Sequence, residues 1–297
     1  MRIFFDNVDF KSSSGPNSFA SKLASTFVAL GHEITNERPD AQVSFIQSGL
    51  NVAPCLLRLD GIYFNSEQDW NKLNDPIRRS YDAADSIIVQ SVFNKRLIFR
   101  YFGKRENVSV VRNGTLLETI RQIPTATMSG IKRDDVWLCA SSWRPHKRLD
   151  DNIRYFQEFA GDTSLLLVAG ENTSHDTADD RIKFLGNLNW YQLIAAMKGA
   201  SRFLHLAWLD HCPNVVVDAR AAGCHVICSS SGGTEEIAGP QSTVVEEDDW
   251  DLSPTALYKP PVMDFSRSRP GLDYGSNIDI NAVSANYLEI IKEMVKI

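Results

Sequence analysis

The sequence lacks a long apolar run, a paired-cysteine motif and an internal repeat. No stretch approaches the roughly 20 apolar residues that a membrane-spanning helix needs. The five cysteines are scattered, and no two of them are separated by two residues, so we expect a reduced, cytoplasmic protein without a disulfide framework. The first residues, Met1 to Asp6, become acidic too early for a signal peptide and indicate a buried first strand.

Basic charge is scarce in the second half of the chain. Residues 1–124 carry 15 basic and 13 acidic residues, whereas residues 125–297 carry 16 and 24. Nucleic acid is therefore not expected as a partner. A hydrophobic content of 43% over 297 residues is typical of a globular protein with room for two domains, and the uneven charge favours that division.

Short apolar runs alternate with helical patterns along most of the chain. Such continuous apolar strands, separated by helices, predict α/β domains built on doubly wound parallel sheets. Residues 115–135 lack periodicity and are predicted to be the linker, with a boundary at 124. Residues 251–277 are predicted to be loop, and 281–297 a closing amphipathic helix. The predicted strands are Ile3–Phe5, Val43–Ile46, Cys55–Leu59, Ser86–Val89, Val108–Val111, Trp137–Ala140, Leu165–Ala169, Ile182–Leu185, Phe203–Leu206, Val226–Cys228 and Val244–Val245. The predicted helices are 17–30, 150–160, 189–199 and 213–222.

The stretch from His205 to Gly223 carries the most chemistry. Pro213 suits the first position of a helix, and Gly223 suits the residue just past its end, where φ is positive. Asp218 lies one turn after Asn214 on the same face. The helix therefore offers an anion-binding amino end beside a carboxylate. A sugar nucleotide has both complementary groups, a diphosphate and a ribose diol.

This stretch resembles the signature of retaining glycosyltransferase family 4. Asp210 and Asp218 are separated by seven residues and are followed by Ala-Ala-Gly-Cys-His-Val-Ile at 221–227. The family has Glu at both acidic positions, so each side chain here is one methylene shorter. The resemblance implies the GT-B fold, with two Rossmann-like domains facing a cleft. Residues 1–124 would form the acceptor-side domain and residues 125–276 the nucleotide-sugar domain. Residues 277–297 would form a helix that crosses back to the first domain.

A basic loop at Ser141–Arg148 follows the first predicted strand of the second half. The ends of parallel strands face the ligand crevice, and a diphosphate leaving group needs positive charge. The family has Arg and, five residues later, Lys. Lys147 matches that Lys, but Ser142 stands at the Arg position, so Arg144 is the expected substitute. A solvated basic loop is the alternative.

The resemblance assigns further residues to the two substrates. For the donor these are Phe184 and Leu185 at the base, a loop around Gly15, and the backbone around the start of the 213–222 helix. A generic core strand ending in Gly186 is the alternative for Phe184 and Leu185, and a flexible surface loop is the alternative for Gly15. Arg58 and Asp60 are assigned to the acceptor, with a plain ion pair as the alternative. The Gly-Gly turn at 232–233 would permit a close approach of the backbone. The backbone group comprises His211, Cys212, Asn214 and Val215.

The function implied by the resemblance is retaining transfer of a sugar to a hydroxyl of a glycan, lipid or other acceptor. Asp210 and Lys147 would be the catalytic residues, and Asp218 would bind the ribose. The donor would be a UDP- or GDP-linked sugar, and no metal or other cofactor would be needed. A sugar-nucleotide 2-epimerase of the same fold and a non-catalytic sugar-nucleotide binder are the alternatives. The basic, aromatic stretch at 92–105 is predicted to be a core-packed helix, with weak peripheral contact to a membrane as its alternative.

Overall fold

The computed structural model describes residues 1–12, 14–49, 51–127, 130–171 and 178–296. Its first part contains β1 (Arg2–Asp6), α1 (Gly15–Ala29), β2 (Glu33–Ile34), β3 (Ala41–Phe45), β4 (Cys55–Leu59), α2 (Trp70–Ala83), β5 (Ser86–Val89), α3 (Val92–Phe102) and β6 (Val108–Val110). The remainder contains α4 (Leu117–Gln122), β7 (Val136–Ala140), α5 (Leu149–Phe159), β8 (Leu165–Ala169), β9 (Ile182–Gly186), α6 (Trp190–Gly199), β10 (Arg202–His205), α7 (Asn214–Ala221), β11 (His225–Ser229), α8 (Glu235–Ala238), β12 (Thr243–Val245), β13 (Ser268–Pro270) and α9 (Ile280–Val295). Turns of 3-10 helix lie at Arg133–Asp135 and Pro145–Lys147.

The chain divides into two compact units, each with its own sheet. The first unit comprises Met1–Leu116, Leu252–Thr255 and Asn277–Ile297, and the second comprises Leu117–Asp251 and Ala256–Ser276. The sequence places the boundary at 124, whereas the structure assigns α4 to the second unit. The closing helix α9 belongs to the first unit.

The first unit is a parallel sheet in the order β2-β1-β3-β4-β5-β6. Helix α1 forms because its apolar residues recur every three or four positions, and it buries Phe19, Leu23 and Phe27. Helix α9 adds Tyr287 and Ile291 to the same core. The predicted helical spacing and the closing amphipathic helix are thus confirmed, and both contribute to one core.

The second unit is a sheet in the order β13-β12-β11-β10-β7-β8-β9. All its neighbouring strands are parallel except β12 and β13. Strands β7 and β8 are buried along their whole length, as expected of parallel strands covered on both faces. Counted from β7, the six parallel strands have the Rossmann order 3-2-1-4-5-6. The predicted doubly wound α/β class is confirmed.

Two stretches predicted to lack regular structure contain some. The predicted linker 115–135 includes α4 and the 3-10 turn at Arg133–Asp135, elements too short to give a periodic pattern. The predicted loop 251–277 includes β13, which pairs antiparallel with β12. Pro270 has no N–H to offer a second neighbour, so it fits an edge strand. Pairing, rather than apolar alternation, creates this strand.

Helix α3 packs as a core helix of the first unit. Its residues Phe93, Leu97, Ile98 and Phe102 are buried, as the core-packed interpretation predicts. Contact between its basic face and a membrane stays a prediction. Among the described residues, the helices are all too short or too polar to cross a bilayer.

Candidate functional site

The candidate site lies at the point where the strand order of the second sheet reverses. Strands β7 and β10 are parallel neighbours, with Trp137 beside Arg202 and Cys139 beside Leu204. The chain proceeds from β7 towards β8 and β9 on one side, and from β10 towards β11 and β12 on the other. In open α/β sheets, ligands bind outside the carboxyl ends of the strands at such a reversal. The loops that follow β7 and β10 both leave from this edge.

Lys147 and Asp210 come from these two loops and form an ion pair. Lys147 Nζ lies 2.5 Å from Asp210 Oδ2, and the two side chains are only 18% and 13% exposed. Lys147 ends the 3-10 turn after β7. The sequence assigns both residues to the site without relating them to each other, and the structure places them in direct contact.

His205 is a second partner of the same carboxylate oxygen. Its Nε2 lies 2.9 Å from Asp210 Oδ2, and its side chain is 4% exposed. The carboxylate has no hydrogen to donate, so the imidazole nitrogen must be the donor. The sequence does not reveal this contact, although the two residues are only five positions apart at the end of β10.

The protonation states in this cluster follow from burial and from Lys147. Burial by itself would raise the pKa of Asp210, but the charge of Lys147 and the hydrogen bond from His205 hold that pKa well below its usual range. Burial lowers the pKa of His205, and the charge of Lys147 lowers it further, against the opposing effect of Asp210. Near neutral pH Asp210 is therefore an anion and His205 is neutral.

The Gly-Gly turn holds the backbone of Asp210. Gly233 N donates to Asp210 O at 2.7 Å, and Leu209 N donates to Ser231 Oγ at 3.1 Å. A Cβ atom on Gly232 would lie 2.4 Å from Asp210 O, which no ordinary contact allows. Gly232 also has φ of +84°. The close backbone approach expected at this turn is present, and it fixes the residue that carries the carboxylate.

Helix α7 follows directly, but it begins one residue later than predicted. Pro213 has ψ of 118°, which is extended, so it is the N-cap and Asn214 is the first helical residue. The prediction that Pro213 occupies the first helical position is therefore wrong by one residue. Pro213 has no side-chain oxygen with which to cap the helix. At the other end, Gly223 has the predicted positive φ, at +84°.

Asp218 lies in the second turn of α7 and is 4% exposed. Its Oδ2 accepts a hydrogen bond from Trp190 Nε1 at 3.0 Å. Trp190 is the first residue of α6, and no pattern in the sequence relates it to Asp218. A buried carboxylate needs such a donor, because leaving it unpaired would be costly.

The remaining donor-site residues of the second unit lie close to the pair along the chain. Arg144 is exposed at the N-cap of the 3-10 turn that ends at Lys147. His211 N donates to Asp210 Oδ1 at 3.0 Å, and Cys212 is buried. Asn214 and Val215 open α7 and are half-buried.

Phe184 and Leu185 lie on β9, at the edge of the sheet in the described residues. Phe184 pairs with Val168 and Gly186 with Ala169, so Leu185 is the extra residue of a bulge. Leu185 is 36% exposed. A bulge disrupts the ladder locally and re-aims the backbone, which suits the predicted backbone contact with a base.

Three predicted site residues belong to the first unit. Gly15 is the exposed first residue of α1. Arg58 and Asp60 form an ion pair at the end of β4. The Arg58 guanidinium lies 4.2 Å from the centre of the Phe19 ring and 5.3 Å from that of Phe45. Burial raises the pKa of Asp60 against the opposing charge of Arg58. The ion pair considered as the alternative is present, and an acceptor role stays a prediction.

The family model described as glycosyl transferases group 1 matches residues 129–255. The matched segment includes Lys147, Asp210 and Asp218. Arg58 and Asp60 lie outside it. A comparison with curated proteins by sequence gives no match.

Solved glycosyltransferase structures share the fold of the whole chain. Sucrose-phosphate synthase from Thermosynechococcus elongatus superposes with a TM-score of 0.69 at 13% identity, over 99% of both chains. HepE from Anabaena, solved in complex with UDP-glucose, gives 0.64 at 13% identity, over 100% of this chain and 98% of its own. WaaG, a glycosyltransferase involved in lipopolysaccharide biosynthesis, gives 0.57 at 15% identity, with 100% and 98% covered. The chain therefore has the predicted GT-B fold.

Proposed function

We propose that the protein transfers a sugar from a nucleoside-diphosphate sugar to an acceptor hydroxyl, with retention at the anomeric carbon. The observation that carries the proposal is the ion pair between Lys147 and Asp210 at the strand-order reversal of the second sheet. A phosphate-binding cation and a carboxylate that remains ionised are the two charges that such a transfer requires. The group 1 family match supports the same reaction class.

The diphosphate is proposed to bind Lys147 and the amino end of α7. Helix N-termini attract anions through their dipole and their N–H groups, and the N-cap residue Pro213 supplies no capping side chain. Arg144 lies three residues before Lys147 and adds exposed positive charge. These groups stabilise the charge that develops on the leaving diphosphate.

Asp210 is proposed to bind hydroxyls of the donor sugar and to stabilise positive charge at the reacting carbon. Lys147 and His205 hold the pKa of Asp210 well below its usual range, so it remains an anion throughout the pH range of an ordinary assay. Lys147 is shared between this carboxylate and the incoming diphosphate. We expect donor binding to shift Lys147 towards the phosphate while His205 keeps its contact with Asp210.

Asp218 is proposed to bind the ribose diol of the donor. Trp190 Nε1 donates to Asp218 Oδ2, and this hydrogen bond fixes the orientation of the carboxylate. Leu185 and Phe184 on β9 are proposed to contact the base. HepE was solved with UDP-glucose, which favours a UDP-linked donor, with GDP as the second candidate.

The acceptor is proposed to be a glycan or a lipid-linked hydroxyl, with Arg58 and Asp60 as its predicted contacts. In the proposed retaining reaction, the leaving phosphate oxygen takes the proton of the attacking hydroxyl on the same face. No side chain then acts as the general base, and no metal ion is required to neutralise the diphosphate.

The experiment is to incubate the protein with UDP- and GDP-linked sugars, with and without a panel of sugar acceptors. Release of the nucleoside diphosphate that depends on an acceptor supports transfer, and retention is read from the anomeric coupling of the product by NMR. A new sugar nucleotide formed without an acceptor would instead identify a 2-epimerase. Binding without turnover would identify a non-catalytic binder.

A pair of matched variants links any activity to the site. Asp210→Asn keeps the size of the side chain and removes its charge, and we expect it to abolish transfer. Asp248→Asn is the control, because the Asp248 side chain is 95% exposed in its ion pair with Arg267. Equal activity in the two variants would contradict the role of Asp210.

A further inference from the structure

Arg148, the residue after Lys147, has an unusual backbone. Its φ and ψ are 53° and 54°, in the left-handed region. Glycine adopts this conformation readily, whereas a residue with a Cβ does so only when its surroundings enforce it. Arg148 is also the N-cap of α5, where it makes no side-chain capping bond. Contacts with other parts of the protein must therefore hold Arg148 in this left-handed conformation.

The side chain of Arg148 is buried and reaches three other segments of the second unit. Its NH2 group donates to Glu247 Oε1 at 2.7 Å and to Pro261 O at 2.9 Å. Its NH1 group donates to Leu206 O at 3.4 Å. Arg148 is 3% exposed. A fully buried guanidinium requires this number of acceptors, because its charge cannot be neutralised by losing a proton.

These contacts join the end of β7 to the end of β10. Leu206 follows β10 directly, and its N–H donates to Asn152 Oδ1 at 3.3 Å. Asn152 Nδ2 in turn donates to Arg148 O at 2.7 Å. A third connection runs from Trp208 N to His146 O at 2.7 Å. The loop that carries Lys147 is thus bonded to the loop that carries Asp210 both before Arg148, through His146, and after it, through Asn152.

We propose that Arg148 is a positioning residue for the ion pair between Lys147 and Asp210. Its guanidinium touches neither Lys147 nor Asp210 in the contacts described above, and it acts by holding the two loops at their observed separation. Lys147 is its immediate neighbour in the chain, so a change in the backbone of Arg148 moves the lysine directly. The catalytic consequence rests on the proposed function, whereas the geometric consequence does not.

The first test measures the position of Lys147 without any substrate. The charge of Lys147 lowers the pKa of His205, so withdrawal of Lys147 raises it. Imidazole NMR titrations would compare the unmodified protein with Lys147→Ala and Arg148→Gly. Arg148→Gly removes the guanidinium and relieves the left-handed backbone. We expect it to shift the His205 titration upwards by at least half of the shift seen in Lys147→Ala.

The second test is a double-mutant cycle with inorganic pyrophosphate as the probe. We expect Lys147→Ala and Arg148→Gly each to weaken pyrophosphate binding about tenfold. The double variant should be no weaker than Lys147→Ala alone, because Arg148 acts through Lys147. If the affinity loss of the double variant equals the product of the two single losses, the two residues act independently, and the proposal is overturned.

The control is Arg154→Ala. Arg154 is a partly exposed arginine of the same helix and donates to Met263 O. We expect Arg154→Ala to leave both measurements unchanged.

If Arg148→Gly does not fold, Arg148→Lys is measured instead, because lysine retains the charge but lacks the planar guanidinium. A folded Arg148 variant with an unshifted His205 titration contradicts the positioning role. Failure of the unmodified protein to bind pyrophosphate contradicts the proposed function instead.

Discussion

Lys147 and Asp210 meet across the ends of two neighbouring parallel strands, with Nζ and Oδ2 only 2.5 Å apart. They are 63 residues apart in the chain and are adjacent only because β7 and β10 pair. Each group lowers the cost of burying the other, since an unpaired buried charge is strongly disfavoured. An anionic substrate must therefore compete with Asp210 for the lysine.

Lys147→Ala is expected to lower turnover by about 10²- to 10³-fold, as is usual when one group that stabilises a leaving charge is removed. The pKa of Asp210 should also rise, because Lys147 is the largest influence that lowers it. Initial rates at saturating donor measure the first effect. Lys132→Ala is the control, since Lys132 is exposed in the same unit. Unchanged turnover in Lys147→Ala would remove the lysine from the mechanism.

Trp190→Phe is expected to weaken binding of the nucleoside diphosphate with little change in kcat. It removes the N–H that Trp190 donates to Asp218, and the loss of such a bond corresponds to about 0.5–1.5 kcal/mol, or roughly two- to tenfold in Kd. Isothermal titration calorimetry measures the affinity. Tyr191→Phe is the matched control, because Tyr191 is the next residue and is 62% exposed. A fall in kcat without a change in Kd would contradict a ribose-side role.

Gly232→Ala is expected to destabilise the protein more than Gly31→Ala does. The two glycines have nearly equal φ angles, +84° and +83°, so both variants carry a left-handed penalty of about 1–2 kcal/mol. A Cβ at Gly31 meets nothing within 4 Å, whereas one at Gly232 would overlap Asp210 O. Urea unfolding measures both variants, and their difference isolates the close approach. Equal losses would mean that the Gly232 turn relaxes without strain.

Stability is expected to fall as the pH drops from 7 towards 4. Burial, the largest influence, lowers the pKa of His146 to about 3 and that of His211 to about 4. Between those values and the unfolded value near 6.5, the unfolded chain binds more protons, so stability rises with pH. Each histidine contributes a slope of up to about 1.4 kcal/mol per pH unit. Above pH 7 the contribution is complete and the dependence disappears.

Urea unfolding at pH 5, 6, 7 and 8 checks this dependence. His146→Phe should reduce the slope of the free energy of unfolding against pH below pH 6.5 by the contribution of one histidine, because phenylalanine does not titrate. Asp210 contributes in a different range: its folded pKa is depressed, so its stabilisation is present above about pH 4 and is lost only below. An unchanged slope in His146→Phe would show that this histidine is protonated at little cost.

The parallel strands could be predicted from the sequence because their side chains are apolar on both faces. β4, β5 and β8 begin and end at the predicted residues. β13 could not be predicted, since Ser268–Pro270 has no strand pattern and is ordered by pairing with β12. Its Arg269 then holds Glu235, beside the Gly-Gly turn, with two hydrogen bonds of 2.6 and 3.0 Å. A pattern of residues along the sequence does not indicate which distant residue such a side chain will contact.

The sequence by itself determined the alternation of strands and helices, the α/β class, and the positive φ of Gly223 just beyond α7. These features depend on the conformational preferences of single residues and on hydrophobic periodicity, and both are set by residues that are close in the sequence. Only the tertiary structure decided that Lys147 pairs with Asp210, that Trp190 supports Asp218, and that Arg148 joins the two loops. Those contacts span tens of residues, and they exist because strand order brings distant loops to one edge of the sheet.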